Sequence, residues 1–159
     1  MMRRSLERKE VVREMVFTDE ELQSLNAHIE DVPYADMILF ACLIGLRPKE
    51  ICGLNTGDVD CEKNCVVVGE RVVLITPVVS EMLESICEKA STLVGDALFF
   101  EEVACGRFTI NEFHYIKAFR KVMNKLAMSH SIHDTRLTFI DRARKANMDE
   151  AYLMKIIGA

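Results

Sequence analysis

Tyr34-Ala35-Asp36-Met37-Ile38-Leu39-Phe40-Ala41-Cys42-Leu43-Ile44-Gly45-Leu46-Arg47-Pro48-Lys49-Glu50-Ile51-Cys52-Gly53-Leu54 is the stretch that organises the rest of the chain. From Tyr34 to Ile44 it is apolar on almost every side, which marks a helix buried at the centre of a domain. Gly45 is a natural terminator, because glycine accepts the left-handed backbone found just past a helix end. Pro48 suits the first turn of a second, short helix running to about Leu54, where a missing N–H costs nothing. Arg47 lies between the two, so its guanidinium emerges directly beside the core.

Working outward toward the N-terminus, Asp31-Val32-Pro33 breaks the chain. Before it, Thr18-Asp19-Glu20-Glu21 has the spacing of a capping box, and Phe17 is placed to staple onto Leu22. This predicts a helix to about His28. Residues 1–16, with Arg and Glu interspersed, read as a charged helical arm or linker ahead of a domain that occupies 17–159. Toward the C-terminus, Val66-Val67-Val68, Gly69-Glu70 and Arg71-Val72-Val73-Leu74-Ile75 give β-branched strands around a tight turn, with Glu62-Lys63-Asn64 as another. Two or three short strands are expected there. Thr76-Pro77 restarts helix to about Ala90, and residues 95–107 read as a loop. A second capping box, Thr109 to Glu112, opens a long helix to about Ala127. His133-Asp134 opens another to about Ala146, with Asn147 suited to a left-handed cap. Asp149 caps a last helix, Glu150 to Ile157. The fold class is therefore mainly α with a small antiparallel β-sheet.

Composition limits function. The 159 residues are 50% hydrophobic and 28% charged, a globular balance sufficient for one core. No apolar run reaches the roughly eighteen residues of a membrane span, and no signal-peptide core follows Met1-Met2-Arg3-Arg4. A cytoplasmic protein with reduced thiols is expected. Of six cysteines only Cys61 and Cys65 are closely spaced, without the second pair that zinc requires, so no metal or other cofactor is expected. Net charge is −5. Between Lys117 and Lys145, however, eight basic residues face only Asp134 and Asp141. An acidic chain can still present one basic face to a phosphate backbone.

Two arginines and a histidine carry the chemistry. Arg47 sits beside the core, and Arg136 follows His133 by three positions, so those two side chains share one helical face. A guanidinium pair with an imidazole can bind a phosphate and manage its protons. Leu39 to Leu54, followed by Asp58-Val59-Asp60, resembles the first arginine box of the tyrosine recombinases (phage integrases). His133-Asp134-Thr135-Arg136-Leu137-Thr138-Phe139 resembles the second box. Phe17 to Leu22, Arg71 to Leu83 and Ala146 to Gly158 are similar to the flanking segments in the same order.

The resemblance implies site-specific DNA recombination or integration through a phosphotyrosyl link, with double-stranded DNA as partner and no metal. It implies that Arg47 and Arg136 clamp the non-bridging phosphate oxygens and that His133 assists as proton handler or donor, all three lining one concave, open pocket. The family's hairpin lysine has no clear counterpart here; Lys63 and Arg71 are the substitutes within reach. The family's nucleophilic tyrosine belongs beyond Ala159. Tyr34, Tyr115 and Tyr152 all stand elsewhere, so the chain alone is expected to be inactive and to bind DNA weakly. A domain incomplete at that end is further expected to expose an apolar patch near Leu153, Ile156 and Ile157 and to self-associate through it. Two other readings stay open: a non-catalytic remnant with weak DNA binding or self-association, and an unrelated helical interaction domain.

Overall fold

In the computed structural model, which describes residues 15–91, 97–103 and 106–158, the capping box at Thr18 forms in full. Glu21 N–H donates to Thr18 Oγ1 at 3.1 Å, and Thr18 N–H donates to the Glu21 carboxylate at 2.9 Å. These bonds satisfy donors that a helix start otherwise leaves orphaned, and they open α1 (Asp19–Ala27). The arm expected over residues 1–16 lies outside the described residues apart from its last two. The apolar stretch becomes α2 (Ala35–Ile44), closed by Gly45 at φ 74°. Arg47 caps α3 (Pro48–Cys52).

A three-stranded antiparallel sheet follows: β1 (Val59–Asp60), β2 (Cys65–Val68) and β3 (Arg71–Leu74), in that order. Val68 pairs with Arg71 across the Gly69-Glu70 turn, and Gly69 takes φ 61° as such a tight turn demands. Then come α4 (Pro77–Ser91), α5 (Glu112–Lys125), α6 (Asp134–Lys145) and α7 (Glu150–Ile157). The mainly helical class with a small antiparallel sheet holds, and a separate two-stranded hairpin is added to it. Helix α2 is the hub, packed most heavily against α6 and also against α1 and α4. Phe40, Met37 and Ile38 of α2 are fully buried with Leu25, Leu83, Tyr115 and Phe119 from α1, α4 and α5. Burying one such side chain contributes about 1.5–3 kcal/mol.

Three expectations are corrected. Residues 100–109 form a hairpin, β4 (Phe100–Val103) with β5 (Gly106–Thr109), inside the segment read as a loop. Four-residue strands carry too little periodicity to announce themselves. The segment is held from outside, with Leu98 N–H donating to Leu54 O at 2.9 Å and Asn55 bridging Ala97. Thr109 consequently ends a strand and cannot cap α5. Asn111 does so, accepting from His114 N–H at 2.8 Å.

The third correction concerns the C-terminal apolar patch. Leu153, Ile156 and Ile157 are 0%, 3% and 5% exposed. Their i, i+3, i+4 spacing puts all three on one stripe, and α7 turns that stripe inward onto α6 and β3. Ala143, Phe139, Ile140 and Met148 cover much of it. The patch proposed for self-association does not exist, because the domain buries it internally. Met154, on the opposite side, is the exposed apolar residue of α7. Met154→Lys should therefore move the urea midpoint by no more than the equivalent of about 0.5 kcal/mol.

Candidate functional site

The site begins at Gly45. A Cβ there would fall 2.6 Å from Phe139 Cγ and 2.9 Å from its Cε2, inside contact distance for any real side chain. Helix α6 thus rests on the end of α2 at the one residue lacking a side chain. Arg47 lies two residues beyond Gly45, and Arg136 lies one turn before Phe139 on α6. The close approach thus joins the two elements that carry these arginines.

Around Arg47 the contacts are specific. Its backbone N–H donates to Glu50 Oε1 at 2.9 Å, and its Nη2 donates to Gly158 O at 3.2 Å. Glu50 spends its other oxygen on Arg71, whose Nη1 donates to Oε2 at 2.8 Å. Arg71 Nη2 reaches Ile156 O at 3.4 Å. Gly158 closes α7 at φ 73°, where a Cβ would meet Arg71 Nη1 at 2.8 Å and Arg47 Nη1 at 3.1 Å. The end of α7 therefore presents bare carbonyls to two guanidinium groups, a favourable arrangement for cations.

Arg136 completes the cluster. Burial, and then the charge of Arg47, hold its pKa below the usual arginine range; Glu50 works the other way and Arg71 adds to the depression. Glu50 thus bonds the Arg47 backbone and the Arg71 side chain, and Arg136 feels the charges of all three. Such a surplus of planar donors is a setting for a phosphate or sulfate. His133 is the exposed N-cap of α6, one turn before Arg136. Among the described contacts none joins its ring to the arginines. Beside Arg47 an open groove of about 650 Å³ is lined by Lys49, Glu50, Asp58, Gly69, Glu70 and Arg71, among others.

Other residues singled out in the sequence stand apart. Lys63 is exposed in the turn between β1 and β2, its N–H donating to Asp60 Oδ1 at 3.0 Å. The tyrosine hydroxyls are buried or engaged: those of Tyr115 and Tyr152 are buried, with no hydrogen-bond partner among the described residues, and Tyr34 Oη donates to Phe100 O at 3.2 Å. The basic run is largely neutralised along α6, where Arg142 pairs with Asp19, Arg144 with Glu150 and Lys145 with Asp141. Among the described residues, no group of three His, Cys, Asp or Glu side chains converges as metal ligands would. No helix there is long and apolar enough to cross a membrane.

One residue escaped the sequence reading. His130, its side chain 5% exposed, points Nδ1 at Asp134 Oδ2 (2.9 Å) and Nε2 at the Glu21 carboxylate (3.0 Å). Its ring stacks on Phe17 at 4.0 Å. The spacing to Asp134 is a helical i, i+4, but the partner Glu21 lies 109 positions away, and that distance hid the constellation.

Two carboxylates in these networks make the domain sensitive to acid. Burial raises the pKa of Glu21, but the Thr18 N–H and His130 outweigh it; burial raises that of Glu50, but Arg71 and the Arg47 N–H outweigh it. Both end below their ordinary value of 4.5. Carboxyl groups lowered on folding stabilise above the unfolded pKa, and that stability is lost as pH falls through the folded value. Asp36, raised chiefly by burial, works in the opposite sense. Urea midpoints should fall once pH drops below 4.5, and Glu50→Gln should flatten part of that fall.

The sequence matches the phage integrase family over residues 15–158. A search of curated proteins gave no match. Among solved structures, XerA recombinase superposes with a TM-score of 0.79 at 20% identity, covering 91% of this chain and 54% of that one. The Tn1549 transposon integrase in complex with circular intermediate DNA gives 0.77 at 18%, covering 92% and 57%. The XerH site-specific recombinase bound to its difH substrate gives 0.66 at 16%, covering 91% and 47%. The chain spans about half the length of these solved structures.

Proposed function

The chain belongs to the phage integrase family, and from that premise we propose that it is the phosphate-gripping part of a site-specific DNA recombinase. What supports this reading is that Arg136 feels the charges of Arg47 and Arg71, with Glu50 the carboxylate among the described residues that counters them. Strand exchange of this kind replaces one phosphodiester bond by a bond from phosphorus to a tyrosine oxygen, with a deoxyribose oxygen leaving and taking up a proton. Negative charge grows on the non-bridging oxygens as the phosphorus becomes five-coordinate. Arg47 and Arg136 are assigned to those oxygens, since two fixed, planar donors suit them better than lysines. Occupation by an anion would also offset the repulsion from Arg47 and Arg71 that adds to burial in lowering the Arg136 pKa. His133, exposed on the same turn as Arg136, is assigned to donate a hydrogen bond or move a proton at the same phosphate.

Double-stranded DNA is the partner this chemistry requires. Binding by these 159 residues should be weak, given the net charge of −5, and should fall steeply with salt as phosphate contacts displace counterions. Arg47→Ala with Arg136→Ala should abolish most of it while preserving the melting temperature to within a few degrees. On a nicked suicide substrate the chain should give no covalent band in denaturing electrophoresis, because the Tyr115 and Tyr152 hydroxyls are buried and that of Tyr34 is bonded to Phe100 O. Undiminished DNA binding by the double variant would overturn the site; a covalent band would overturn the placement of the nucleophile outside Tyr34, Tyr115 and Tyr152.

A further inference from the structure

We propose that Arg71 is a positioning residue of the phosphate site, acting as the charge sink that keeps Glu50 away from the Arg47 guanidinium. The inference rests on the assignment of Arg47 and Arg136 to phosphate, and it reassigns Arg71, which sequence reasoning offered as a stand-in for a catalytic lysine. Glu50 follows Arg47 by three positions on the first turn of α3, the spacing at which a carboxylate and a guanidinium pair readily. They do not pair. One Glu50 oxygen takes the Arg47 backbone N–H at 2.9 Å, and the other takes Arg71 Nη1 at 2.8 Å. The carboxylate is thereby committed on both sides, and among the described residues the Arg47 guanidinium has a single acceptor, Gly158 O at 3.2 Å.

Arg71 is poorly placed to serve phosphate itself. Nη1 is given to Glu50, Nη2 reaches Ile156 O at 3.4 Å, and Nε is buried with no acceptor among the described residues. Through these bonds it ties the first residue of β3 to α3 and to the carbonyl end of α7. The side chain that crosses the site is also the one that prevents the site from neutralising itself.

A double-mutant cycle tests this, read by affinity for a short mixed-sequence DNA duplex at about 50 mM salt. Arg71→Ala should weaken binding by about tenfold, because the released carboxylate swings onto Arg47. Glu50→Gln should raise affinity about tenfold in that background but only about twofold in the wild-type chain, where the carboxylate is already occupied. Arg71→Lys, which keeps the charge, should restore most of the loss. Equal effects of Glu50→Gln in both backgrounds would overturn the inference and make Arg71 a direct phosphate ligand. If Arg71→Ala does not fold, Arg71→Gln carries the same comparison, since it retains a donor but no charge. The side-chain NMR signal of Arg47 gives a second readout without DNA: it should move in Arg71→Ala and return in Arg71→Lys. A signal that stays put overturns the positioning role. Loss of the phosphate reading alone would instead appear as undiminished DNA binding by Arg47→Ala/Arg136→Ala, with the NMR shift intact.

Discussion

Gly45→Ala is expected to destabilise the domain by about 2–5 kcal/mol, a change comparable to a large part of the stability of a domain this size. Two costs add. Gly45 sits at φ 74°, where an L-residue gives up about 1–2 kcal/mol to the clash of its Cβ with the following carbonyl. The same Cβ would also enter the Phe139 ring, and relieving such overpacking by shifting side chains or backbone costs about 1–3 kcal/mol. Phe139 cannot simply swing away, because it packs both on the main core and on the cluster of Ala143, Leu153 and Ile157. Urea unfolding of Gly45→Ala and of Gly45→Ala/Phe139→Leu would separate the two costs. The second substitution should recover the packing part and leave the backbone part. A loss under about 1 kcal/mol for the single variant would mean that α2 and α6 slide apart easily. In that event Gly45 would not be what joins the two elements that carry Arg47 and Arg136.

What was legible in the sequence divides along a physical line. Local rules announced local structure: the Thr18–Glu21 box, the all-apolar face of α2, Gly45 after it, Asn147 at φ 60° and the Asp149 cap all appear where the pattern put them. The arginine boxes were legible because each is compact in sequence, even though Arg47 and Arg136 stand 89 positions apart. Features made by pairing distant segments were not legible. The β4–β5 hairpin is anchored through Leu54, the α7 stripe finds its cover on α6 and β3, and Glu50 prefers Arg71, 21 positions away, to its helical neighbour Arg47. The hairpin was read as a loop, whereas the apolar stripe of α7 and the charges of Glu50 and Arg71 were plain in the sequence. The partner each chose was a tertiary fact.

His130 is the sharpest instance, and His130→Leu should cost about 1–3 kcal/mol, since Asp134, a buried carboxylate, and Glu21 both lose the imidazole as a hydrogen-bond partner. Asp134 is 4% exposed and keeps only the Ser131 N–H and Oγ–H, at 3.1 and 3.0 Å. Glu21 keeps the Thr18 N–H. Leucine fills much of the volume and still packs on Phe17, so the loss measures hydrogen bonding rather than a cavity. His130→Gln, able to donate to one carboxylate only, should fall between leucine and wild type. The penalty should also depend on pH in a defined direction. His130 helps to hold the Glu21 pKa down, so its removal raises that pKa toward its ordinary value, and the variant then loses less stability than the wild type as pH falls. The gap between variant and wild type should therefore be smaller at pH 4 than at pH 7. A gap that is equal at both values would show that His130 contributes packing alone. If the gap does narrow, the first turn of α6 is held by this imidazole, and that turn carries both His133 and Arg136. His130→Leu should then weaken DNA binding as well, in proportion to how far the turn loosens, although His130 lies buried between Glu21 and Asp134 and is assigned no contact with the phosphate.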